Sequence, residues 1–384
     1  MNNPFPAVLI GGPPHAGKSV LFYSLSRSLR ERRVSHHSMR ACPDGEGNWS
    51  QEIDQESVEL YRFKGKWTDA FVDGICRDLS NRQLPFLVDM GGLPADSQMR
   101  IFRLCTHSLL LLHASDEPSA CRWKKLVRAS GLMPLAELFS ELHGQSIVTG
   151  YEPVITGVIT GLERGSQAQG ALFDVVVDQV SALFQSSEEE SAILGRAPTE
   201  LVVNLHAWLE KIAPGEKDWR PAMLPTLLAQ VPASVAVSVY GHGPHWLYAA
   251  LLAHADQQAY YQFNPRIGWM TPPPLHFGNQ TIPEVQIKLR EMEHYVILTI
   301  KLLEKHLDHI LISQCAFSRI SATEGLVLNG VMPSWLVNAL VSLYQQIGFT
   351  WIACYQPQLR AAVVVDARDA AFAPGDLIAA NINK

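Results

Sequence analysis

The sequence contains no apolar run approaching the roughly eighteen residues that cross a bilayer, which excludes a membrane-spanning helix. It has no Cys-x-x-Cys pair and no cysteine at zinc-finger distance from a histidine. Its six cysteines therefore predict reduced, mostly buried thiols rather than a disulfide framework or a structural zinc site. An excess of positive charge is missing too, since 31 Lys and Arg stand against 37 Asp and Glu. That balance excludes a global basic field for duplex DNA and leaves only local phosphate-binding patches. The first apolar run is one strand long and leads straight into a glycine-rich segment, so a signal peptide is not expected and a cytoplasmic location is. Charged residues are scarce, at 18%, whereas 47% are hydrophobic, a composition that builds folded cores. A chain of 384 residues is too long for one ordinary core and predicts about two or three domains.

Short apolar runs alternate with helical periodicity over residues 1–185. Strands are expected at Pro6–Ile10, Pro85–Met90, Leu109–His113 and Val154–Thr160. A helix is expected over Ser19–Arg33, where Val20, Leu21, Leu25 and Leu29 fall at helical spacing. The pattern predicts an α/β domain whose parallel sheet is covered on both faces. Residues 186–198 are polar, acidic and proline-ended, and read as a linker. Beyond them the sequence repeats itself. A β-rich run leads into Gly241, Pro244, Trp246 and Leu247, then an apolar helix, then an aromatic strand ending at Asn264-Pro265-Arg266. The same order returns with Gly330, Pro333, Trp335 and Leu336, closing at Gln356-Pro357-Gln358. Residues 199–283 and 284–384 are therefore expected to be two tandem small α/β domains packed as a pseudo-dimer.

The stretch Gly12-Pro13-Pro14-His15-Ala16-Gly17-Lys18-Ser19 fits the P-loop pattern G-x-x-x-x-G-K-S. The glycines let the backbone curl, so that amides of Gly12, His15, Ala16, Gly17, Lys18, Ser19 and Val20 can cradle the phosphates of ATP. Lys18 brings a point charge to the β- and γ-phosphates, and the Ser19 hydroxyl is a ligand for Mg2+. The metal needs a carboxylate as well. Asp89 ends an apolar strand, where a Walker-B aspartate belongs, and the competing reading is a strand-end cap of the next turn. Lys18 and Asp89 are thus the catalytic candidates of an ATP-hydrolysing domain, with Ser19 and Asp89 as metal ligands.

Two further segments carry two readings each. Asp44 and Glu46, on a glycine-flexed loop after the P-loop helix, suit either a small-molecule kinase's base or an acidic surface turn. Arg122, Lys124, Lys125 and Arg128 form the densest basic cluster, either a phosphate-reaching lid or a solvated helix face.

The first repeat, Gly241-His242-Gly243-Pro244-His245-Trp246-Leu247 followed by Phe263-Asn264-Pro265-Arg266-Ile267-Gly268, resembles the small CRISPR-associated ring nuclease family of type III systems. The second repeat keeps Trp335, Leu336, Tyr355, Pro357, Leu359 and Gly375-Asp376. The N-terminal half, with its P-loop and Pro43-to-Trp49 segment, resembles the AAA-type domain fused to that family in some bacteria. The resemblance implies binding of cyclic tetra-adenylate across a symmetric dimer, ring opening in some members, a role for Mn2+, and homo-oligomeric assembly. Gly241, His242, Gly243, Pro244, His245, Asn264 and Arg266 would hold the ligand, and Tyr260, Tyr261 and Phe263 would offer faces to adenines unless they pack in the core. The family's helix-end histidine falls on Asp256, with His254 nearby, so these two are the candidates for cleavage. Its pre-proline aspartate is Asn264 here and Gln356 in the second repeat, which favours binding over cleavage. A P-loop kinase with a regulatory repeat and a non-enzymatic cyclic-nucleotide sensor or sink are the alternatives.

Overall fold

The computed structural model describes residues 5–42, 67–163, 165–185, 187–303, 307–321, 325–380 and 382. The protein is mixed α/β with parallel-rich sheets, and it divides into two compact units. Among the described residues the first unit spans 5–42, 67–189 and Pro265–Gly268. The second spans Glu190–Asn264 and 269–382.

The first unit is built on β1 (Ala7–Gly11), α1 (Lys18–Glu31), β2 (His37–Ala41), α2 (Asp69–Asn81), β3 (Phe86–Met90), α3 (Met99–Leu104) and β4 (His107–His113). It continues with α4 (Glu117–Ala129), β5 (Met133–Glu141), β6 (Ile147–Gly150), β7 (Ile155–Thr160) and α5 (Ala171–Phe184). The seven strands lie in the order β2-β3-β1-β4-β5-β7-β6. The pairings are parallel except β6 with β7. β1 shows why such a strand reads as an unbroken apolar run. Val8 and Ile10 pack beneath α1 and α5, with Leu21, Leu25, Leu172 and Val176. Ala7 and Leu9 pack on the other face with Ile75, Leu79, Phe102 and Trp123 from α2, α3 and α4. Both faces are covered, so alternation has no polar partner to show.

The four strands expected in this unit are present with boundaries shifted by one or two residues. β2, β5 and β6 were not expected. β2 (His-Ser-Met-Arg-Ala) is an edge strand with polar residues along it, and β5 is exposed at its ends and alternates half-buried and buried positions between them. Neither gives the apolar run that marks an interior parallel strand. The segment expected to be a linker contains α6 (Ser187–Leu194).

The second unit contains β8 (Val202–Asn204), α7 (Leu205–Ile212), α8 (Leu224–Leu228), β9 (Val237–Tyr240), α9 (His245–His254), β10 (Tyr260–Asn264) and β11 (Gly268–Met270). After β12 (His276–Phe277) and β13 (Val285–Glu291) come β14 (Tyr295–Leu302), β15 (Ala316–Phe317), β16 (Gly325–Asn329), α10 (Ser334–Gln345), β17 (Trp351–Gln356), β18 (Ala361–Ala367) and β19 (Leu377–Ile378). One sheet runs β8-β9-β10-β11 and the other contains β14-β16-β17-β18 in the same sequence of roles, with β13 and β19 added at its edges. In both, the first three strands pair in parallel and a helix follows the middle one. Gly241 and Gly330 follow β9 and β16 with φ of 105° and 135°, and Pro244 and Pro333 stand as N-caps of α9 and α10. Trp246 and Trp335, the second residue of each helix, are 2% and 0% exposed. The spacing that recurs in the sequence is therefore a recurring strand–turn–helix.

The helices α9 and α10 pack on each other, and α9 also lies on β18 of the other copy. Neutral polar groups bind the copies together. Asn338 Nδ2 donates to Gln262 Oε1 at 2.5 Å and to the Tyr260 hydroxyl at 3.2 Å. Gln262 Nε2 donates to Ser334 Oγ at 3.0 Å, and Ser342 Oγ to Gln257 Oε1 at 2.9 Å. All six cysteines are free and only Cys121 is exposed. Burial pushes the Cys105 and Cys354 thiols up to about 12, which keeps them unreactive.

Candidate nucleotide site and the copies of the second unit

The turn between β1 and α1 carries the densest chemistry in the first unit. β1 ends at Gly11, and Gly12 follows with φ 148°. A Cβ on Gly12 would lie 1.9 Å from the Leu111 carbonyl oxygen, so the strand exit passes this close to β4 only without a side chain. His15 and Gly17 take φ of 62° and 89°, and Lys18 opens α1. No side chain caps the helix start. Two left-handed residues and an uncapped helix make a concave run of amides suited to an anion. Ala16 is buried, Pro14 and His15 are exposed, and Val20 packs on the α1–α5 side of the sheet.

Strand register assembles the rest. Asp89 on β3 pairs with Ile10 of β1 on one side and with Arg40 of β2 on the other. It is 2% exposed, and Arg40 Nε lies 3.0 Å from its Oδ2. The same guanidinium donates to Ser19 Oγ at 3.0 Å and to the Tyr23 hydroxyl at 2.9 Å, and lies 5.5 Å from the Tyr23 ring centroid. Lys18 Nζ donates to the Pro13 carbonyl at 2.7 Å, across the loop it serves. Burial pushes the Asp89 carboxyl above the ordinary aspartate range, while Arg40 and Lys18 pull it back. Burial also lowers Lys18, opposed by Asp89 and Cys42. For Arg40, burial acts downward, but Asp89, Tyr23 and Cys42 outweigh it and keep the guanidinium charged.

Lys18, Ser19 and Asp89 are thus close together. Arg40 was not expected as a site residue. Its signal was weak: a basic residue in a polar pentapeptide that does not read as a strand. Tyr23, one helical turn after Ser19, was missed for the same reason, since a lone tyrosine on a helix is ordinary. Ser19 Oγ and Asp89 Oδ2 are the oxygens expected to hold magnesium, and one guanidinium already bridges them. As it stands, this donor set does not fit a divalent cation. Among the described residues no cluster of three or more His, Cys, Asp or Glu is arranged to hold a metal ion.

The remaining candidates disperse. Asp44 and Glu46 lie outside the described residues. Arg122, Lys125 and Arg128 are exposed on α4, and Lys124 pairs with Glu137 at 2.5 Å, so the cluster is a solvated helix face with one strand contact. Arg266 belongs to the first unit, where its guanidinium lies 3.1 Å from Asp78 of α2; this carboxylate takes the group expected to meet a ligand. His254 Nε2 is 2.7 Å from the Val231 carbonyl, a structural bond, and Asp256 is exposed. His242 is exposed beside half-buried Gly241, Gly243 and Pro244. Burial pushes His245 down to about 4, so its ring is neutral near pH 7. Asn264 is buried. Tyr260 and Phe263 are core residues, Phe263 packing on Tyr240 and Trp269, and do not offer faces to a base.

Residues 300–379 match the family described as CRISPR-associated protein (Cas_csx3). The match spans 80 of the 384 residues and says what this segment is similar to. It covers β16 to β19 and α10, the copy expected from its sequence to be the more degenerate of the two. No curated protein matches the chain. Among the described residues no helix is long and apolar enough to cross a membrane.

Proposed function

We propose that this protein is CRISPR-associated, that it binds a nucleoside triphosphate on the Gly12–Ser19 loop, and that it binds a cyclic oligoadenylate on its second unit, as a sensor that returns the cyclic ligand intact. The observation that carries the reading is the β1–loop–α1 turn, with left-handed His15 and Gly17, an uncapped helix start, and Lys18 as the first helical residue beside Asp89. Amides and an ammonium converging on one concave turn suit a polyphosphate better than any neutral ligand.

Support for the cyclic ligand is of another kind. The family match falls on the second copy, and the resemblance of Gly241–Leu247 extends it to the first. Paired copies present equivalent strand–turn–helix junctions, which suits a ligand with internal symmetry. Intact return of the ligand follows from the side chains. His254 is spent on a backbone carbonyl, His245 is a poor base, and Arg266 is paired with Asp78. None of these three side chains stands ready to activate a ribose hydroxyl or hold a leaving oxygen.

Titration with ATP should give saturable binding that Lys18→Ala weakens by about tenfold or more, the worth of one charge-assisted contact to phosphate. Unchanged affinity in that variant would remove the loop from the reading. Incubation with cyclic tetra-adenylate, followed by chromatography, should return the ring intact alongside a binding isotherm. Linear oligoadenylate would make the second unit a ring nuclease after all.

A further inference from the structure

The position between Ser19 and Asp89 holds a cation that belongs to the chain itself. Arg40 reaches it from the neighbouring strand because Arg40 and Asp89 are register partners on β2 and β3. The side chain is 13% exposed, and it is held from four directions: by Asp89 Oδ2 at 3.0 Å, Ser19 Oγ at 3.0 Å, the Tyr23 hydroxyl at 2.9 Å and Cys42 Sγ at 3.8 Å. Asp89 has no access to water that could compensate the loss of this partner. Separating such a pair leaves a buried charge without compensation, which is strongly unfavourable. A magnesium ion seeking the same two oxygens has to displace the guanidinium first.

We infer that Arg40 is the resident cation of this loop, so that a nucleoside triphosphate binds here without a divalent metal. The inference rests on the nucleotide reading above and sharpens it. With Arg40 in place, the charge of Asp89 is balanced from the neighbouring strand, and Lys18 is left to meet the phosphates. Without Arg40 the carboxylate cancels the lysine, and only then does an added metal become necessary. Arg40 is a positioning residue in this scheme: it neutralises Asp89 and fixes the Ser19 hydroxyl.

The experiment is an ATP titration of the full-length protein by calorimetry, once in excess EDTA and once in magnesium, for the wild type, Arg40→Met and Arg40→Lys. Circular dichroism of each variant checks that it folds. The wild type should bind with the same Kd in both media. Arg40→Met should lose about tenfold or more in EDTA and recover in magnesium, because the vacated oxygens can now take the ion. Arg40→Lys, which keeps the charge, should retain metal-free binding closer to the wild type. A wild type that binds only with magnesium overturns the inference while leaving the nucleotide reading intact, and this arm needs no variant. A wild type that binds in neither medium overturns both.

Discussion

The two units bury polar groups in opposite ways. In the first, three ionisable side chains, Lys18, Arg40 and Asp89, converge at the end of a parallel sheet; burial pushes Lys18 down and Asp89 up, while Asp89, Tyr23 and Cys42 hold Arg40 charged against it. In the second, the groups buried between the copies are amides and hydroxyls: Asn338 and Gln262 are 0% and 1% exposed, with Tyr260 beside them. Charges are expensive to bury, and a fold that needed only stability would have placed apolar side chains there. Neutral amides cost less and bond directionally, so they hold two surfaces in one register. On the proposed reading the charged cluster is a place prepared for a ligand, whereas the amide cluster is a seam between the copies.

The comparison can be broken at its most charged point. Asp89→Ala leaves Arg40 buried without its carboxylate and should destabilise the first unit by about 3–5 kcal/mol. Hydrogen exchange read by mass spectrometry separates the units, and faster exchange confined to β1, β2 and β3 is the expected result. Uniform loss across both units would mean that the pair is a global support and not a local site.

Asn338→Leu is the matching change in the seam. It leaves the Gln262 carbonyl oxygen without its donor, at a cost of about 1–3 kcal/mol. Exchange should rise in α9 and α10 and leave the first unit alone. A neutral or stabilising outcome would show that apolar packing of the two helices, with Trp246 and Trp335 behind them, already specifies the seam.

The smallest effect concerns pH. Burial lowers His36 to about 4 and His37 to about 3 in the first unit, and His245 to about 4 in the second. Each folded-state value lies below that of the unfolded chain, so the unfolded state binds more protons between them. Stability is therefore full above about pH 6.5 and declines as pH falls toward 4. The neutral His36 ring bonds the Val34 carbonyl at Nδ1 and the Ser26 hydroxyl at Nε2. With two such histidines against one, the first unit should soften earlier, and His36→Gln should flatten its pH profile. Equal decline in both units would assign the acid sensitivity to other groups.

Part of this molecule is readable without coordinates. β1, β3 and β4 are interior parallel strands, and an interior strand reads as a mostly apolar run because helices cover both its faces. The Gly12–Ser19 turn is readable because its conformation depends on neighbours in the chain, with glycine at 12, where the backbone passes close to β4, and at 17, where φ is 89°. The repeat around Trp246 and Trp335 is legible for the same reason, a local strand–turn–helix stated twice.

Arg40 and Arg266 could not be placed that way. Arg40 sits in a pentapeptide whose polarity hides a strand, and its meaning comes from the register that sets it beside Asp89. Arg266 lies in a stretch that resembles a ligand loop, yet its partner is a helix carboxylate far away in the chain. Sequence determined by itself the elements whose residues are contiguous, because backbone geometry and burial pattern are local. Which charge meets which was decided only by tertiary structure, because an ion pair depends on distance in space, and strand order alone brings Ser19, Arg40 and Asp89 together.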